Sequence, residues 1–272
     1  MAWNDPLAAL LLCAKIEGIA VLVQTLEQLA LWRQYRRAGL YDWEVNRTRT
    51  LELARSKLLP FYDGLFRFPG LWVVFGLRLL GAVLQISGNA RSVVVAGLYL
   101  TATTAIVQTI RDRDGYGGSD QVTTIISVAL ALVLTSSNPA LWTAGAVFLA
   151  GQACLAYATS GFTKLAHADW RSERHLLLVL RNRGFGHRGL YVFLSARPVL
   201  AKYLSLAFIA FECSFPAFML AGPHAFLVAI CAALLFHFSI AVVMGINFFW
   251  SYAAFLPAAY YVSCQISEFL KK

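Results

Sequence analysis

Lys164 lies where a long apolar segment ends and the most basic part of the sequence begins. A lysine at such a boundary can lay its stem along apolar surface and keep its ammonium in water. Alternatively, a partly desolvated amine can lose its proton and act as a base. Position alone favours the first interpretation. The sequence around the lysine reads Ser160-Gly161-Phe162-Thr163-Lys164-Leu165-Ala166-His167-Ala168-Asp169-Trp170.

Ionisable side chains inside the apolar segments are further candidates for chemistry, because charge at membrane depth is costly unless it is paired or faces a cavity. Lys15 and Glu17 share the first apolar segment. Two residues span about 200° around a helix, so these two side chains cannot pair and we expect their partners on other helices. Glu27 is close enough to the segment's end to be interfacial. Arg78 requires a carboxylate or carbonyl partner if it faces inward.

Glu212 lies well inside an apolar segment, and Pro216 four residues later leaves the Glu212 carbonyl without its helical donor. Such a kink beside a carboxylate is either a place for a ligand or only a structural feature. His237 has the same two interpretations, and the residues alone favour a hydrogen-bonded histidine within a helical bundle.

Composition places the whole chain in a membrane. Hydrophobic residues make up 59% of it, charged residues 14%, and mean hydropathy is +0.63. Apolar runs of roughly 20 residues recur, and each can cross the hydrocarbon layer as a helix. Because lipid leaves no partner for unpaired backbone groups, we expect an all-α polytopic bundle forming a single transmembrane domain over residues 1–272. The predicted spans are 7–31, 69–86, 92–110, 122–134, 140–162, 199–220, and two within 224–266, which should bend near Gly245-Ile246-Asn247.

Two shorter segments have helical spacing outside the spans. Residues 45–59 alternate charged and apolar side chains, which favours a helix on the membrane surface ending at Pro60. An ordinary basic loop is an equal alternative. Residues 172–180 predict a second interfacial helix, with Gly184 and Gly186 breaking it.

Basic residues concentrate in three loops, 32–67, 111–121 and 163–198, which lie on one side if there are eight spans. The positive-inside rule places these loops in the cytoplasm and both termini outside, in a membrane we take to be a bacterial inner membrane. The net charge of +9 then indicates anionic lipid headgroups as partners rather than nucleic acid. The first segment lacks a basic leader, so we expect a retained helix and not a cleaved signal peptide.

Several other site types find no support. The five cysteines fall in apolar segments without a CxxC pair, and the five histidines are scattered, so neither a thiol redox centre nor a metal site is indicated. Asp112, Asp114 and Gly115 begin like a calcium loop, but the remaining ligands are missing. Residues 115–118 lack the lysine of a nucleotide loop.

The Lys164 stretch resembles the segment around the essential lysine of vitamin K-dependent gamma-glutamyl carboxylases and of the wider bacterial group with a horizontally transferred transmembrane (HTTM) domain. Three more stretches are similar to that family in order and spacing, and the resemblance covers most of the chain from about Tyr41 onward. They are Gly39-Leu40-Tyr41-Asp42-Trp43-Glu44-Val45, Glu212 followed by Pro216, and His237 followed by Gly245-Ile246-Asn247-Phe248-Phe249.

The resemblance implies a chemistry. In those carboxylases a lysine deprotonates a reduced naphthoquinone, and the oxygen-dependent reaction that follows removes a proton from a peptide glutamate, which then takes up carbon dioxide. By this likeness Lys164 would be the base, with Glu212 and His237 as the other catalytic residues. The ligand pocket would include Asp120, Asn247, Arg78 and Trp170. A vitamin K-type quinone or another isoprenoid lipid would be the cofactor, and a peptide the substrate.

The chain also departs from that family. Ser119-Asp120-Gln121 stands where the carboxylases carry a functional histidine, and the large peptide-engaging domain of the animal enzymes is missing. Sporulation-delaying toxin maturation proteins resemble the same group, which makes peptide maturation a reasonable role. The alternative is a transporter or accessory scaffold in which Lys15, Arg78, Glu212 and His237 form buried ion pairs. Lys164 distinguishes the two hypotheses, because only an enzyme requires its amine.

Overall fold

Long apolar runs form the helices of this protein, because a helix pairs the backbone groups of a lipid-facing segment internally. The computed structural model describes residues 4–37, 39–49, 55–112 and 117–271, with only the backbone of Arg49. Within these ranges the chain is helical and has no strand, which confirms the all-α prediction. The helices in chain order are α1 (Pro6–Ala30), α2 (Trp43–Arg49), α3 (Leu59–Phe66), α4 (Gly70–Ser87), α5 (Arg91–Arg111), α6 (Gly118–Thr135), α7 (Pro139–Ala166), α8 (Arg174–Arg181), α9 (Arg188–Ser195), α10 (Pro198–Leu220), α11 (Pro223–Met244), α12 (Phe249–Ala253) and α13 (Leu256–Phe269), with a 3₁₀ turn at Trp32–Tyr35.

Seven of the described helices are long and apolar enough to cross a membrane: α1, α4, α5, α6, α7, α10 and α11. This confirms a polytopic membrane protein. Two of these helices are longer than the sequence predicted. The fourth predicted span begins earlier, at Gly118, and the fifth continues to Ala166, so that Lys164 lies in the last helical turn rather than in the loop beyond it.

The predicted bend after the seventh span is confirmed. Helix α11 ends at Met244, and Gly245 follows with φ of 66°, a left-handed conformation that glycine adopts without strain. Helices α12 and α13 then continue with helical backbone between them at Ala254 and Phe255. Pro257 has no N–H to offer Ala253, which accounts for the interruption. At about 1.5 Å per residue, residues 249–269 reach about 30 Å, the thickness of the hydrocarbon layer.

The two ends of the chain meet. The Asn4 side-chain amide donates a hydrogen bond of 2.9 Å to Glu268. Seven crossings would leave the ends on opposite faces of a membrane, whereas this contact requires them on the same face. We therefore expect the segment 249–269 to make an eighth crossing.

The chain divides into two compact units, Met1–Leu10 with Pro139–Lys272, and Leu11–Asn138. In the first unit α13 packs against α7, α10 and α11, and most of its side chains from Leu256 to Ser263 are buried. Because α13 lies between three other helices, few of its side chains can face lipid. Ser263 also donates a hydrogen bond of 2.8 Å to the Met219 carbonyl of α10.

The second unit buries polar side chains along one face of α1. The Glu17 carboxylate is fully buried and accepts a hydrogen bond from Ser127 of α6, so its partner does lie on another helix. Arg78 of α4 is also buried, and it donates to Thr25 at 3.1 Å and to Gln24 at 2.9 Å. Its guanidinium thus binds a hydroxyl and the side-chain carbonyl oxygen of an amide, and a carbonyl is one of the two partner types expected.

The prediction that Pro60 ends a helix over 45–59 is wrong. Helix α2 ends at Arg49, and Pro60 lies in the first turn of α3, where its missing N–H has no helical partner to lose. Residues 50–54 of the predicted helix lie outside the described residues, as do residues 113–116 of the polar turn. The helix predicted at 172–180 is present as α8, and α9 follows the two glycines unpredicted.

The contact between Asn4 and Glu268 predicts that both ends of the chain lie on the same side of the membrane. Alkaline phosphatase fused to either end, in a bacterial host, should give the same activity, and the charge distribution predicts that both fusions are active because both ends face outward. A fusion in the basic loop at residue 184 should be inactive. Activity at only one end would mean that residues 249–269 do not cross the membrane.

Candidate functional site

The site is built on one stripe of α7. Tyr157, Ser160, Gly161 and Lys164 are spaced so that they share a face of the helix, and this face packs against α10. Lys164 stands in the last turn, where a positive charge is favoured by the helix dipole. The helical spacing therefore brings an aromatic hydroxyl, a serine and an amine into line against the neighbouring helix.

Lys164 and Glu212 form an ion pair between α7 and α10. The Lys164 Nζ lies 2.5 Å from both carboxylate oxygens of Glu212 and donates a further hydrogen bond of 2.8 Å to the Ser160 hydroxyl. Ser160 in turn donates to Glu212 at 3.1 Å. The side chains of Lys164 and Glu212 are only 17% and 4% exposed. All three N–H groups of the ammonium are thus used, and the charges of the pair cancel.

Gly161 allows the two helices to approach closely enough for this pair. A Cβ at this position would lie 2.7 Å from the Cys213 backbone nitrogen and 3.0 Å from the Glu212 carbonyl carbon. Any side chain would therefore push α10 away at the residue whose carboxylate Lys164 binds. The serine–glycine sequence before Lys164 supplies a hydrogen bond and the space for it.

Trp170 closes the other side of the amine. The Lys164 Nζ lies 5.4 Å from the Trp170 ring centre, within the range of a cation–π interaction. The indole stacks on His175 with ring centres 4.3 Å apart, and its backbone carbonyl accepts a hydrogen bond of 2.5 Å from Ser205 of α10. The position of Trp170 is thus set by contacts to α8 and α10, and the predicted proximity of Lys164 and Trp170 is present.

A cavity of about 440 Å³ opens beside this pair. Lys164, Trp170 and Ser239 contribute its polar atoms, and the rest of its wall is apolar side chains from α8, α9, α10 and α11. On α8 the buried face, with Leu176 and Leu180, turns toward the cavity, while Arg181 is exposed. The volume is within the usual range for small-molecule sites.

His237 of α11 belongs to an aromatic cluster that also includes Tyr157. The Tyr157 hydroxyl is 2.8 Å from His237 Nε2, and the imidazole stacks on Tyr252 with ring centres 4.2 Å apart. The second ring nitrogen, Nδ1, is buried without a hydrogen-bond partner among the described residues. Tyr157 connects the histidine to the stripe that carries Lys164, but the cavity wall does not include His237.

The remaining predicted pocket residues have local roles. The Asp120 carboxylate, in the first turn of α6, accepts a hydrogen bond of 3.2 Å from the N–H of Gly117, the residue that precedes the helix. Asp120 and Arg78 belong to the unit Leu11–Asn138, and Lys164 to the other. Asn247 lies half-buried in the connection between α11 and α12 and does not line the cavity.

Comparison of the chain with protein-family models, curated proteins and solved structures finds no match. The chemistry of this site is therefore inferred from its geometry.

Sequence reasoning gave no role to three members of the arrangement. Ser160 and Tyr157 lie four and seven residues before Lys164, and helical periodicity counted back from the lysine would have identified both. Tyr252 had no such signal, because only the tertiary fold brings α12 against His237. Chemically, the arrangement combines a hydrogen-bonded ammonium–carboxylate pair with an adjoining, largely apolar cavity.

The close approach at Gly161 predicts a steric effect. Gly161→Ala should destabilise the protein by about 1–3 kcal/mol, because the added methyl overpacks the α7–α10 contact. Gly151→Ala, on the same helix, has no atom within 4 Å of the new Cβ and should be neutral or stabilising by up to about 1 kcal/mol. Unfolding of both variants in detergent by SDS titration measures the difference. Equal stability of the two variants would contradict the proposed role of Gly161.

Proposed function

We propose that this protein is a membrane enzyme of the carboxylase-like HTTM group that binds a neutral isoprenoid lipid, with Lys164 and Glu212 as its proton-transferring pair. The observation that carries the proposal is that Lys164, whose charge is balanced by Glu212, lines a largely apolar cavity. A peptide is the proposed substrate, and the bacterial inner membrane, with the basic loops in the cytoplasm, is the proposed location.

The cavity wall supports an apolar ligand. Leucine, valine, isoleucine and phenylalanine side chains from four helices form most of it, so a hydrocarbon tail gains from leaving water. The tail would lie among these side chains, and the polar end of the ligand would lie toward Lys164 and Trp170. The flat indole, already within cation–π distance of the amine, also favours a ring at that end.

The ion pair supports a ligand without net charge. The ammonium is neutralised by Glu212 at 2.5 Å, so an anionic headgroup would have to displace a carboxylate that is almost fully buried. Leaving such a carboxylate unpaired is expensive. A hydroxyl or carbonyl group, in contrast, can share a hydrogen bond with Lys164 while the pair stays intact. Quinones and quinols have such groups, and the residues present fit a ligand of this class.

The pair also supports proton transfer. The shared proton can pass from the Lys164 ammonium to Glu212, which leaves a neutral amine and a neutral acid. The amine then takes a proton from a hydroxyl at the polar end of the cavity, so that each proton is accounted for within the pair. A reduced naphthoquinone, when bound, supplies such a hydroxyl. Ser160 holds both partners in register during the transfer.

A non-catalytic scaffold or transporter is the second candidate, and the buried polar side chains of the other unit favour it. Glu17 and Arg78 are both buried there among hydroxyl and amide groups, as expected for residues that hold helices together or line a path. This hypothesis does not require the Lys164 amine.

Removal of the buried carboxylate charge should change ligand preference. Glu212→Gln leaves the Lys164 ammonium unbalanced beside the cavity, so palmitate should bind about tenfold more tightly than to the unmodified protein, which corresponds to about 1.4 kcal/mol. Binding of a short-chain menaquinone should change much less. Isothermal titration calorimetry in detergent measures both affinities.

Two variants control this measurement. Glu17→Gln removes a buried carboxylate from the other unit and should leave both affinities unchanged. The double variant Lys164→Met with Glu212→Gln should lose the gain for palmitate. Tight palmitate binding by the unmodified protein would show that the pair does not select a neutral ligand.

Lys164→Ala tests catalysis itself. The unmodified protein in nanodiscs, supplied with reduced menaquinone, oxygen and radiolabelled bicarbonate, should label glutamate-containing peptides from a mixed library. Lys164→Ala should reduce labelling at least about 100-fold, since a positioned base contributes that much. Lys202→Ala, an exposed lysine of α10, is the matched control and should stay active. Absence of labelling by the unmodified protein would refute carboxylation, and equal labelling by Lys164→Ala would refute the base.

A further inference from the structure

A second cavity, of about 510 Å³, lies in the unit Leu11–Asn138, where the chain runs from α1 to α4. Its character differs from that of the cavity beside Lys164. Three guanidinium groups line it, from Arg36, Arg37 and Arg67, together with the aromatic rings of Tyr35, Trp43 and Phe68. Arginine-rich, partly aromatic walls are suited to an anion that carries an apolar part.

The carboxylates near this cavity are already engaged. The Asp42 carboxylate accepts the Glu44 N–H at 3.0 Å, at the start of α2. Glu44 pairs with Arg47 at 2.7 Å and also with Arg67. The Glu44 charge is thus neutralised by arginines, and the Asp42 carboxylate is stabilised by a backbone N–H at the start of α2.

Asp63, behind the wall, completes this acidic set. It accepts a hydrogen bond of 2.7 Å from the Trp43 indole and pairs with Arg47 and Arg67. Among the described residues no carboxylate forms an ion pair with Arg36 or Arg37, so both positive charges remain for a ligand.

Aromatic contacts hold Arg36 in place. Its guanidinium carbon lies 4.3 Å from the Trp32 ring centre and 6.0 Å from that of Phe68. Phe68 in turn packs edge-on against Trp72, with ring centres 5.5 Å apart. A guanidinium stacked in this way keeps its N–H edge free for a planar, bidentate partner.

The same aromatic residues place the cavity at the depth of lipid headgroups. Trp32 lies two residues beyond the end of α1, and Trp72 lies in the first turn of α4, so both stand at the ends of helices long and apolar enough to span a membrane. Tryptophans at such ends mark the membrane–water interface. Tyr35 adds a neutral hydroxyl, since burial, and next the nearby Asp112 carboxylate, raise the pKa of its phenol.

We propose that this cavity binds the phosphoryl group of an anionic phospholipid between Arg36 and Arg37. Guanidinium groups match phosphate oxygens in pairs, which gives them an advantage over a single point charge. The volume exceeds what a phosphate alone needs, and the aromatic wall contacts the glycerol and the first methylenes. The site is independent of Lys164 and of the enzymatic proposal.

The test uses the full-length protein in neutral detergent with added phosphatidylglycerol, and counts retained lipids by native mass spectrometry. The unmodified protein should hold one phosphatidylglycerol tightly. Arg36→Gln with Arg37→Gln should weaken this binding about thirtyfold, at roughly 1 kcal/mol for each arginine. Arg181→Gln with Arg183→Gln removes the same charge from exposed positions in another basic loop and should change it less than threefold.

The single variant Arg37→Gln controls for loss of binding through misfolding. Arg37 makes no hydrogen bond, ion pair or ring contact with the described residues, so Arg37→Gln leaves the aromatic packing intact and should weaken binding about fivefold. Titration with inorganic pyrophosphate distinguishes the source of the phosphoryl group. If the arginine variants lose as much affinity for pyrophosphate as for the lipid, and the lipid binds no more tightly than pyrophosphate, the site binds a soluble phosphate. Equal losses in the two double variants would overturn the proposal.

Discussion

The ion pair between Lys164 and Glu212 is the interaction on which the arrangement of the unit Met1–Leu10 with Pro139–Lys272 depends. Two charges are held among apolar side chains, where removing their water costs several kcal/mol per ion and only close mutual contact compensates. That contact requires α7 and α10 to approach without a side chain between them, which Gly161 permits. Ser160 uses the remaining N–H of the ammonium, so no donor of the pair is left unsatisfied. The pair thus adds a polar contact to the aromatic packing of Tyr157 on Phe215 that also joins α7 to α10.

The other unit accommodates buried charge in a different way. Arg78 binds the neutral oxygens of Gln24 and Thr25, while Glu17 binds the hydroxyl of Ser127. Many weak donors and acceptors distributed over α1, α4 and α6 hold these helices in register, as polar side chains do between membrane helices. Such a network suits a structural role. A localised lysine–glutamate pair beside a cavity, in contrast, offers a proton and a place for a ligand.

The sequence predicted what depends on composition and local spacing, and not what depends on tertiary contacts. The length of the apolar segments was sufficient to predict the spans, and Gly245 was sufficient to predict the bend, because both features depend on the local sequence. The residues alone singled out Lys164 and Glu212 separately, and only the family resemblance suggested one site for both. Their direct pairing joins positions 48 apart in the chain and has no local signal. Pro60 was misassigned because proline is compatible with both the end of one helix and the first turn of the next. The stacking of His237 on Tyr252 likewise has no local signal.

Packing alone does not account for a lysine and a glutamate at this position. Apolar side chains of similar volume would join α7 to α10 without any cost of desolvation, and such replacements are often neutral or stabilising in other proteins. What the pair adds is an ammonium and a carboxylate in direct contact, beside a cavity whose wall is mostly hydrocarbon. Under the proposed function, a neutral ligand enters without breaking the pair, and its hydroxyl meets an amine whose proton has a nearby acceptor. Acid–base chemistry on a lipid-like molecule, as proposed, would use every part of this arrangement.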